Sequence, residues 1–271
     1  MKILLNIIKY FAIALAIFLV VSIFEGVMGI LGSFAGPSSS GDAVGDLKSY
    51  SVLSDITSLD IEINAADFTV KQGEAFSVES NLKGLKVEEK NGKLTIEDKK
   101  HFGSGTSYNG AFLTLTIPSD TVFEKVNIIT GAGRFTVESL TTDILNFELG
   151  AGEVICDKIT ASRSADIDGG AGKITVTNGS FHDLDFDMGI GQLNFTAALS
   201  GKSEFDLGVG ESNITVIGSK DEYSLDIEKG IGTITLDGKN ISNTEIRGGS
   251  AGSIDISGGI GAVNVNFKKG E

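Results

Sequence analysis

Acidic side chains recur at a regular interval in the C-terminal half of this 271-residue chain. One set lies two positions before a glycine-x-glycine element in successive repeats: Glu148, Asp168, Asp187, Asp206 and Glu228. A second, largely acidic set lies two positions earlier: Asn146, Asp166, Asp185, Glu204 and Asp226. If the repeats stack, carboxylates about 4.8 Å apart repel by about 1 kcal/mol per neighbour in water, which favours bound cations. Because Ca²⁺ prefers oxygen ligands, the first set predicts a ladder that binds divalent ions weakly; a solvated strand face is the alternative.

Residues suited to nucleophilic or acid–base catalysis are scarce. The two histidines are His101, in a Gly/Ser-rich segment, and His182, between two repeats; no pairing of histidine with a nucleophile recurs along the chain. General acid–base catalysis needs such a partner within hydrogen-bond reach, so we predict no catalytic residues and no enzyme. The single cysteine, Cys156, excludes an intrachain disulfide and a cysteine zinc cluster, and we expect it to be buried.

The repeats are defined by the glycine-x-glycine element. It begins at positions 131, 150, 170, 189, 208, 230 and 259, with a degenerate copy at 250–252. Intervals of 19 to 22 residues up to position 230 indicate stacked repeats, each too short to bury its own apolar face. Glycine suits a sharp bend between strands, where a Cβ would obstruct the backbone. Because strands rather than helices follow these elements, they are not nucleotide-binding loops, and we predict no organic cofactor.

Apolar and polar residues alternate on both sides of each glycine element. Residues 184–188 read Leu-Asp-Phe-Asp-Met, and residues 193–197 read Leu-Asn-Phe-Thr-Ala. A period of two predicts strands with one buried face, and the shared register of the repeats makes chance agreement improbable. We therefore predict an all-β fold, a single-stranded β-solenoid or β-helix of roughly 20-residue repeats over residues 51–271. An antiparallel sandwich is the alternative, although it favours hairpins and less even spacing.

One outward-facing position after the glycines is uncharged in most repeats. It is occupied by Thr136, Thr175, Asn194, Asn213, Thr235 and Asn264. Stacking predicts that these side chains form a polar ladder on the surface. The last repeat, residues 259–267, is expected to cap the open end of the stack, because an uncapped solenoid exposes unpaired strand edges.

The N-terminal segment is almost wholly apolar over residues 3–24, which is long enough to span a bilayer. Lys2 and Lys9 precede the most apolar part and Glu25 follows it, so the positive-inside rule places the N-terminus in the cytoplasm and the rest of the chain outside. We predict an uncleaved signal anchor over residues 1–35 and single-pass insertion in the cell membrane. A cleaved signal peptide is the alternative, since Ser33 and Ala35 suit cleavage before Gly36.

The net charge of the chain limits which molecules it can bind. The formal net charge is −14, and such a surface repels nucleic acid and anionic lipid. Basic groups or divalent ions are the natural counterpart, and a charged surface that only maintains solubility is the simpler interpretation. Residues 36–50 are rich in Gly, Ser and Asp without apolar periodicity, which predicts a flexible spacer between the anchor and the β domain.

Several short motifs together resemble a known family. Leu59-Asp60-Ile61, followed by Ala65-Ala66-Asp67 where later repeats have glycines, marks a worn first repeat. The pattern is completed by Asn91-Gly92-Lys93-Leu94-Thr95-Ile96, by Thr116-Ile117-Pro118 and by the glycine elements. The Asn91-Gly92 pair also predicts a hairpin turn between two strands. Over residues 55–267 the chain resembles the bacterial putative-adhesin family, a domain of unknown function found in cell-envelope proteins with β-strand repeats. The resemblance implies a membrane-anchored or secreted β-solenoid, encoded in some members with envelope-stress or signalling systems, and it brings no catalytic residues.

Two functions follow as expectations. The first is a non-enzymatic, adhesin-like envelope protein that presents an acidic β-solenoid outside the membrane to a cell-wall component, another protein or a surface. The second is an accessory regulator in an envelope-stress or signalling system, acting through a membrane protein partner. No nucleic-acid partner is expected in either case.

Overall fold

The computed structural model describes residues 43–52, 55–98 and 108–270. The predicted anchor over residues 1–35 and His101 lie outside these ranges. Among the described residues, no helix has the length and apolar character needed to cross a membrane. The prediction of a flexible spacer over residues 36–50 is wrong at its C-terminal end. There, Val44–Ser51 form a strand that pairs with residues 77–82 of the β domain.

Twelve strands and one short 3-10 helix make up the described chain. Their bounds are β1 Val44–Ser51, β2 Ser58–Gly73, β3 Ser77–Leu82, β4 Leu85–Lys90, β5 Lys93–Asp98, β6 Phe112–Pro118, β7 Phe123–Ile217, the 3-10 helix Lys220–Glu222, β8 Tyr223–Glu228, β9 Ile231–Leu236, β10 Lys239–Asn240, β11 Thr244–Ile246 and β12 Gly252–Lys268. Asn91 and Gly92 have φ angles of 50° and 74° and join β4 to β5, which confirms the hairpin expected of an Asn-Gly pair.

The strands stack in parallel and in register. β2 lies beside the first part of β7, so that Leu59 pairs with Val126 and Ala66 pairs with Gly133. β7 then continues through the five glycine elements that begin at 131, 150, 170, 189 and 208. Each element divides one layer into a first arm before the glycines and a second arm after them. Parallel stacking of whole layers confirms an all-β, solenoid-like fold and is incompatible with the antiparallel sandwich.

Apolar side chains of the two arms meet in one continuous core. Within one layer, Phe186 of the first arm contacts Phe195 of the second arm edge to face, with ring centroids 5.7 Å apart. Between layers, Phe186 stacks on Phe205 at 5.9 Å. These aromatic contacts add about 0.5–1.5 kcal/mol each to the gain from burial. The predicted inward register is confirmed, since Leu184, Phe186, Leu193 and Phe195 are all buried.

Close approach of the backbone explains the glycines. A Cβ on Gly189 would overlap the carbonyl oxygen of Gly170 in the preceding layer, and a Cβ on Gly191 would overlap that of Gly172. Gly191 also has a φ of 140°, which L-residues with side chains rarely adopt. The residue between the two glycines, such as Ile190, is only half buried and does not enter the core.

At each end of the stack, one long strand lies inside the outermost layer. At one end β2 lies between β7 and the layer formed by β5 and β6. At the other end β12 lies between the last layer of β7 and the layer formed by β8 and β9. The prediction that residues 259–267 cap the stack is therefore wrong, because these residues form an interior layer.

The degenerate element at 250–252 also has a different role from the one expected. Gly252 pairs with Gly201 and Tyr223, so it begins a layer and does not form a bend. The outermost layers are covered by antiparallel strands, with β3 on β6, β4 on β5, β11 on β8 and β10 on β9. Such strands give the ends of a parallel stack hydrogen-bonded partners.

Substituting Gly191 by Ala tests the contribution of close backbone approach. Strain at positive φ and overlap with the Gly172 carbonyl together predict a loss of about 3 kcal/mol or more in the free energy of unfolding, measured by urea denaturation. Gly84→Ala is the matched control: Gly84 has a φ of 85°, but its added Cβ meets nothing within 4 Å, so only about 1–2 kcal/mol should be lost. Equal losses would show that layer spacing does not require the glycine.

Deleting residues 252–271 tests the interior position of β12. Because β12 supplies the parallel neighbour of both β8 and β9, we expect residues 223–246 to become sensitive to protease while the first layers of β7 stay protected. Peptide mapping by mass spectrometry would locate the cuts. Undiminished protection of residues 223–246 would contradict this layer order.

Candidate functional site: an acidic groove across the layers

The first row of carboxylates follows the stack, with one correction. Glu148, Asp168, Asp187 and Asp206 occupy equivalent positions in consecutive layers of β7, because the glycines that follow them stack directly on one another. Glu228 does not adjoin Asp206 as chain order predicted. Ser257 of β12 pairs with both Asp206 and Glu228 and separates them.

The second row is longer than the sequence predicted. Asn146, Asp166, Asp185 and Glu204 occupy consecutive layers of β7. Asp255 of β12 then pairs with Glu204 on one side and Asp226 on the other. Sequence reasoning missed Asp255 because it assigned residues 250–252 to a bend and read the layers in chain order. The inserted strand continues this acidic row although it interrupts the first one.

An open groove runs along the first row where the arms bend. Its volume is about 790 Å³. Glu148, Asp168, Asp187 and Asp206 line it together with glycine backbone, and Leu149, Met188 and Leu207 contribute apolar surface. The four carboxylates are exposed. We call this feature the acidic groove; it offers repeated carboxylates beside backbone groups along several layers.

Partial burial and crowding change the proton affinity of the carboxylates. The pKa values of Asp166, Asp185 and Asp187 are raised, first by partial burial and then by repulsion from neighbouring carboxylates. Asp60, at the start of the stack, differs. Partial burial acts to raise its pKa, but hydrogen bonds from Lys93 and Asn127 outweigh this effect and lower it.

Few cations lie beside the rows. Lys202 Nζ lies 2.6 Å from Glu204 Oε2 and 3.9 Å from an Asp255 carboxylate oxygen. In the part of the chain that the structure describes, no group of three or more His, Cys, Asp or Glu side chains is arranged to hold a metal ion. Divalent-ion binding by Glu148, Asp168, Asp187, Asp206 and Glu228 therefore stays a prediction, and it requires ions shared between layers.

A histidine contact that the sequence did not reveal links two inter-layer turns. His182 Nδ1 lies 3.0 Å from Ser200 Oγ, and Nε2 lies 3.6 Å from an Asp183 carboxylate oxygen. The Asp183 carboxylate also accepts a hydrogen bond of 2.8 Å from the Lys202 backbone N–H. His182 and Asp183 are about half exposed, so water has free access to both. These contacts bind one turn to the next.

Cys156 lies in the core, as predicted. Its side chain is buried, and burial, followed by the charge of Asp157, raises the pKa of the thiol to about 12. The thiolate is the reactive form of cysteine, so this residue is chemically inert at neutral pH.

The polar ladder predicted after the glycines is present in four layers. The Thr235 hydroxyl donates to Asn264 Oδ1 at 2.9 Å, Asn264 Nδ2 donates to Asn213 Oδ1 at 2.9 Å, and Asn213 Nδ2 donates to Asn194 Oδ1 at 3.2 Å. Asn264 lies between Asn213 and Thr235, in agreement with the position of β12. These hydrogen bonds fix the side chains on the outer face of the second arm.

The fold and surfaces define a class of protein, a solenoid-like β stack with open, repeating faces. A family model described as Toastrack DUF4097 matches residues 56–264, and the chain belongs to this domain family of unknown function. The match confirms the family resemblance inferred from the sequence. Among proteins with curated descriptions, none matches the chain.

Two solved structures that match the chain are named putative adhesins. A putative adhesin from Bacteroides fragilis NCTC 9343 is 15% identical, with a TM-score of 0.50, over 83% of this chain and 99% of that chain. A putative adhesin from Parabacteroides distasonis ATCC 8503 is 17% identical, with a TM-score of 0.38, over 84% and 99% of the two chains. At this identity the likeness to the Bacteroides fragilis structure shows the fold alone.

Replacing both Asp185 and Asp187 by Asn tests the repulsion within the rows. A raised carboxyl pKa means that the native state binds more protons than the unfolded chain, so the two aspartates reduce stability as pH rises above about 4. Removing about 1 kcal/mol of repulsion should raise the melting temperature by about 2–4 °C at pH 7 and low salt.

The same comparison has an internal control. The gain should disappear near pH 3, where the carboxylates are protonated, and in about 1 M salt, where charges are screened within about 3 Å. Asp157→Asn, an exposed site on the second arm and away from the acidic rows, should change the melting temperature by less than the double variant. A gain that persists at pH 3 would attribute the effect to something other than charge.

Proposed function

We propose that this protein is a non-enzymatic, adhesin-like binding protein of the cell envelope. An anchor over residues 1–35 would hold it in the membrane, and the acidic β-solenoid would face the extracytoplasmic side. The observation that carries the proposal is the acidic groove, in which Glu148, Asp168, Asp187 and Asp206 repeat one chemical group along consecutive layers. The name of the Bacteroides fragilis protein with a similar fold, a putative adhesin, agrees with it.

Repetition supports binding over catalysis. A catalytic centre needs groups of different roles and different pKa values around one reacting atom. The acidic groove instead offers equivalent, exposed carboxylates at intervals of about 4.8 Å along the stack. Such a surface suits an extended ligand that makes the same contact several times, since linked weak contacts act at high effective concentration.

Charge defines the chemistry of the partner. The chain has a formal net charge of −14, and Asp166, Asp185 and Asp187 all take up protons more readily than isolated aspartates. Ligands with ammonium groups reduce the repulsion between carboxylates of neighbouring layers, and divalent ions shared between layers do the same. A cell-wall component with amino groups or a membrane protein with a basic segment has the complementary chemistry, whereas nucleic acid and anionic lipid are repelled.

Co-sedimentation with separated envelope fractions tests the proposal. A purified fragment of residues 41–271 would be mixed with cell wall and with membranes, in Ca²⁺ and in chelator. We expect saturable binding to cell wall that weakens as salt screens the carboxylates. Loss of binding in chelator would implicate divalent ions held by the ladder.

A matched variant locates the binding surface. Replacing Asp168, Asp187 and Asp206 by Asn should weaken binding at least about tenfold, whereas Asp157→Asn should leave it unchanged. Binding to neither fraction by the unaltered fragment would reject the adhesin-like function and favour an accessory regulator that recognises a membrane partner through its anchor.

A further inference from the structure

The outer face of the second arms differs in chemistry from the acidic face. Two outward positions, three and five residues after the second glycine, are uncharged in four consecutive layers. They are occupied by Thr175 and Thr177, Asn194 and Thr196, Asn213 and Thr215, and Asn264 and Asn266. We call these eight residues the polar grid. Neighbours in the grid are about 4.8 Å apart between layers and about 6.6 Å apart along a strand.

Asparagine in the grid needs a physical reason, because it is among the residues depleted in strands. The ladder Asn264–Asn213–Asn194 supplies part of that reason by hydrogen bonding between layers. Asn266, however, is outside this ladder. It pairs in register with Thr215 and continues the second row of the grid. Sheet propensity alone would have favoured threonine or valine there.

The ladder orients the amides and leaves part of their hydrogen-bonding capacity open. A side-chain amide has two N–H donors and accepts two hydrogen bonds. Asn194 Oδ1 accepts one bond, from Asn213, and Asn264 donates one and accepts one. At least one donor and one acceptor therefore remain on each of these two side chains. Threonine hydroxyls of the second row lie beside them and both donate and accept.

Charge sets the borders of the grid. Toward the glycine bend the neighbouring position is charged in two of the four layers, at Lys173 and Glu211, and uncharged at Gln192 and Ala262. Glu211 accepts a hydrogen bond from Asn213 Nδ2 at 3.1 Å. In the flanking layers the equivalent positions of the second row are Asp157 and Asp237. An uncharged area with charged residues on part of its border, on a chain with a net charge of −14, favours ligands without charge that can exchange several hydrogen bonds at once.

We propose that the polar grid binds an uncharged, extended polysaccharide. Sugar hydroxyls donate and accept hydrogen bonds at regular intervals along such a chain, as the grid does across its layers. Because the ladder fixes the amides before binding, less side-chain entropy is lost when the ligand docks. The grid lies on the second arms and the acidic groove on the first arms, so this activity is independent of the binding proposed for the groove.

The test is binding of the full chain, purified in mild detergent, to insoluble cellulose, chitin, mannan and curdlan. Alginate gel is the anionic control. We expect saturable binding to at least one uncharged polymer, little change up to about 1 M salt, and no binding to alginate. Thr196→Lys combined with Thr215→Lys should weaken binding at least tenfold. Neither threonine is in the amide ladder, so circular dichroism and the melting temperature should confirm that the variant folds.

A further variant and further outcomes keep the two proposals distinguishable. Asp168→Asn with Asp187→Asn should leave polysaccharide binding unchanged while weakening any salt-sensitive binding by the acidic groove. Binding to none of the uncharged polymers would overturn the proposal. Retention of the protein on ice crystals without polysaccharide binding would overturn the proposal and show that the polar grid binds the surface of ice. Dimerisation that the double lysine variant abolishes, again without polysaccharide binding, would assign the grid to a second copy of the chain.

Discussion

The distance between layers at the glycine bend is the constraint on which the structure depends. Parallel strands hydrogen-bond at about 4.8 Å, and the bend can follow the same spacing only if no side chain stands between successive turns of backbone. A Cβ on Gly150, Gly170 or Gly189 would overlap a carbonyl oxygen of the layer before it. Once the bends stack, both arms of every layer are held in register, and a slip of one residue would expose the whole apolar face.

Register determines the chemistry of the surface as well as the core. Each outward position becomes a row in which like residues lie about 4.8 Å apart, whatever their charge. On the first arms, partial burial and then repulsion between the carboxylates that this spacing brings together raise the pKa values of Asp166, Asp185 and Asp187. On the second arms it brings Asn194, Asn213 and Asn264 within hydrogen-bond distance. The same layer spacing therefore destabilises the first-arm face slightly through repulsion between carboxylates and stabilises the second-arm face through hydrogen bonds.

Local sequence pattern predicted the layers well and their order incompletely. Alternation around Phe186 and Phe195, the Asn91-Gly92 hairpin and the equivalence of Ala66 with a later glycine follow from short-range rules of side-chain direction and backbone angle, and the structure has all three. The insertion of β12 was not predictable in this way. The alternation of apolar and polar residues in β12 is the same as in every other layer. This alternation does not indicate which layers β12 pairs with.

The same limit explains the errors at the acidic rows. Reading Asp206 and Glu228 as neighbours assumes that consecutive repeats are adjacent in space, and Ser257 lies between them. Asp255 was missed for the same reason. The His182–Ser200 contact joins residues of different layers, so the spacing within one repeat carried no signal for it.

Insertion of β12 between β7 and the layer of β8 and β9 has an energetic consequence for an open stack. A long strand in the outermost layer would be bonded on one side only, where fraying breaks a single ladder. β12 is bonded on both sides, to β7 and to β8 and β9, so the C-terminal strand leaves the stack only if two ladders break. β2 has the equivalent position at the other end. Short antiparallel strands thus form the edges of the stack. The layers that form the acidic groove and the polar grid lie inside the stack, where neighbouring layers on both sides fix their spacing.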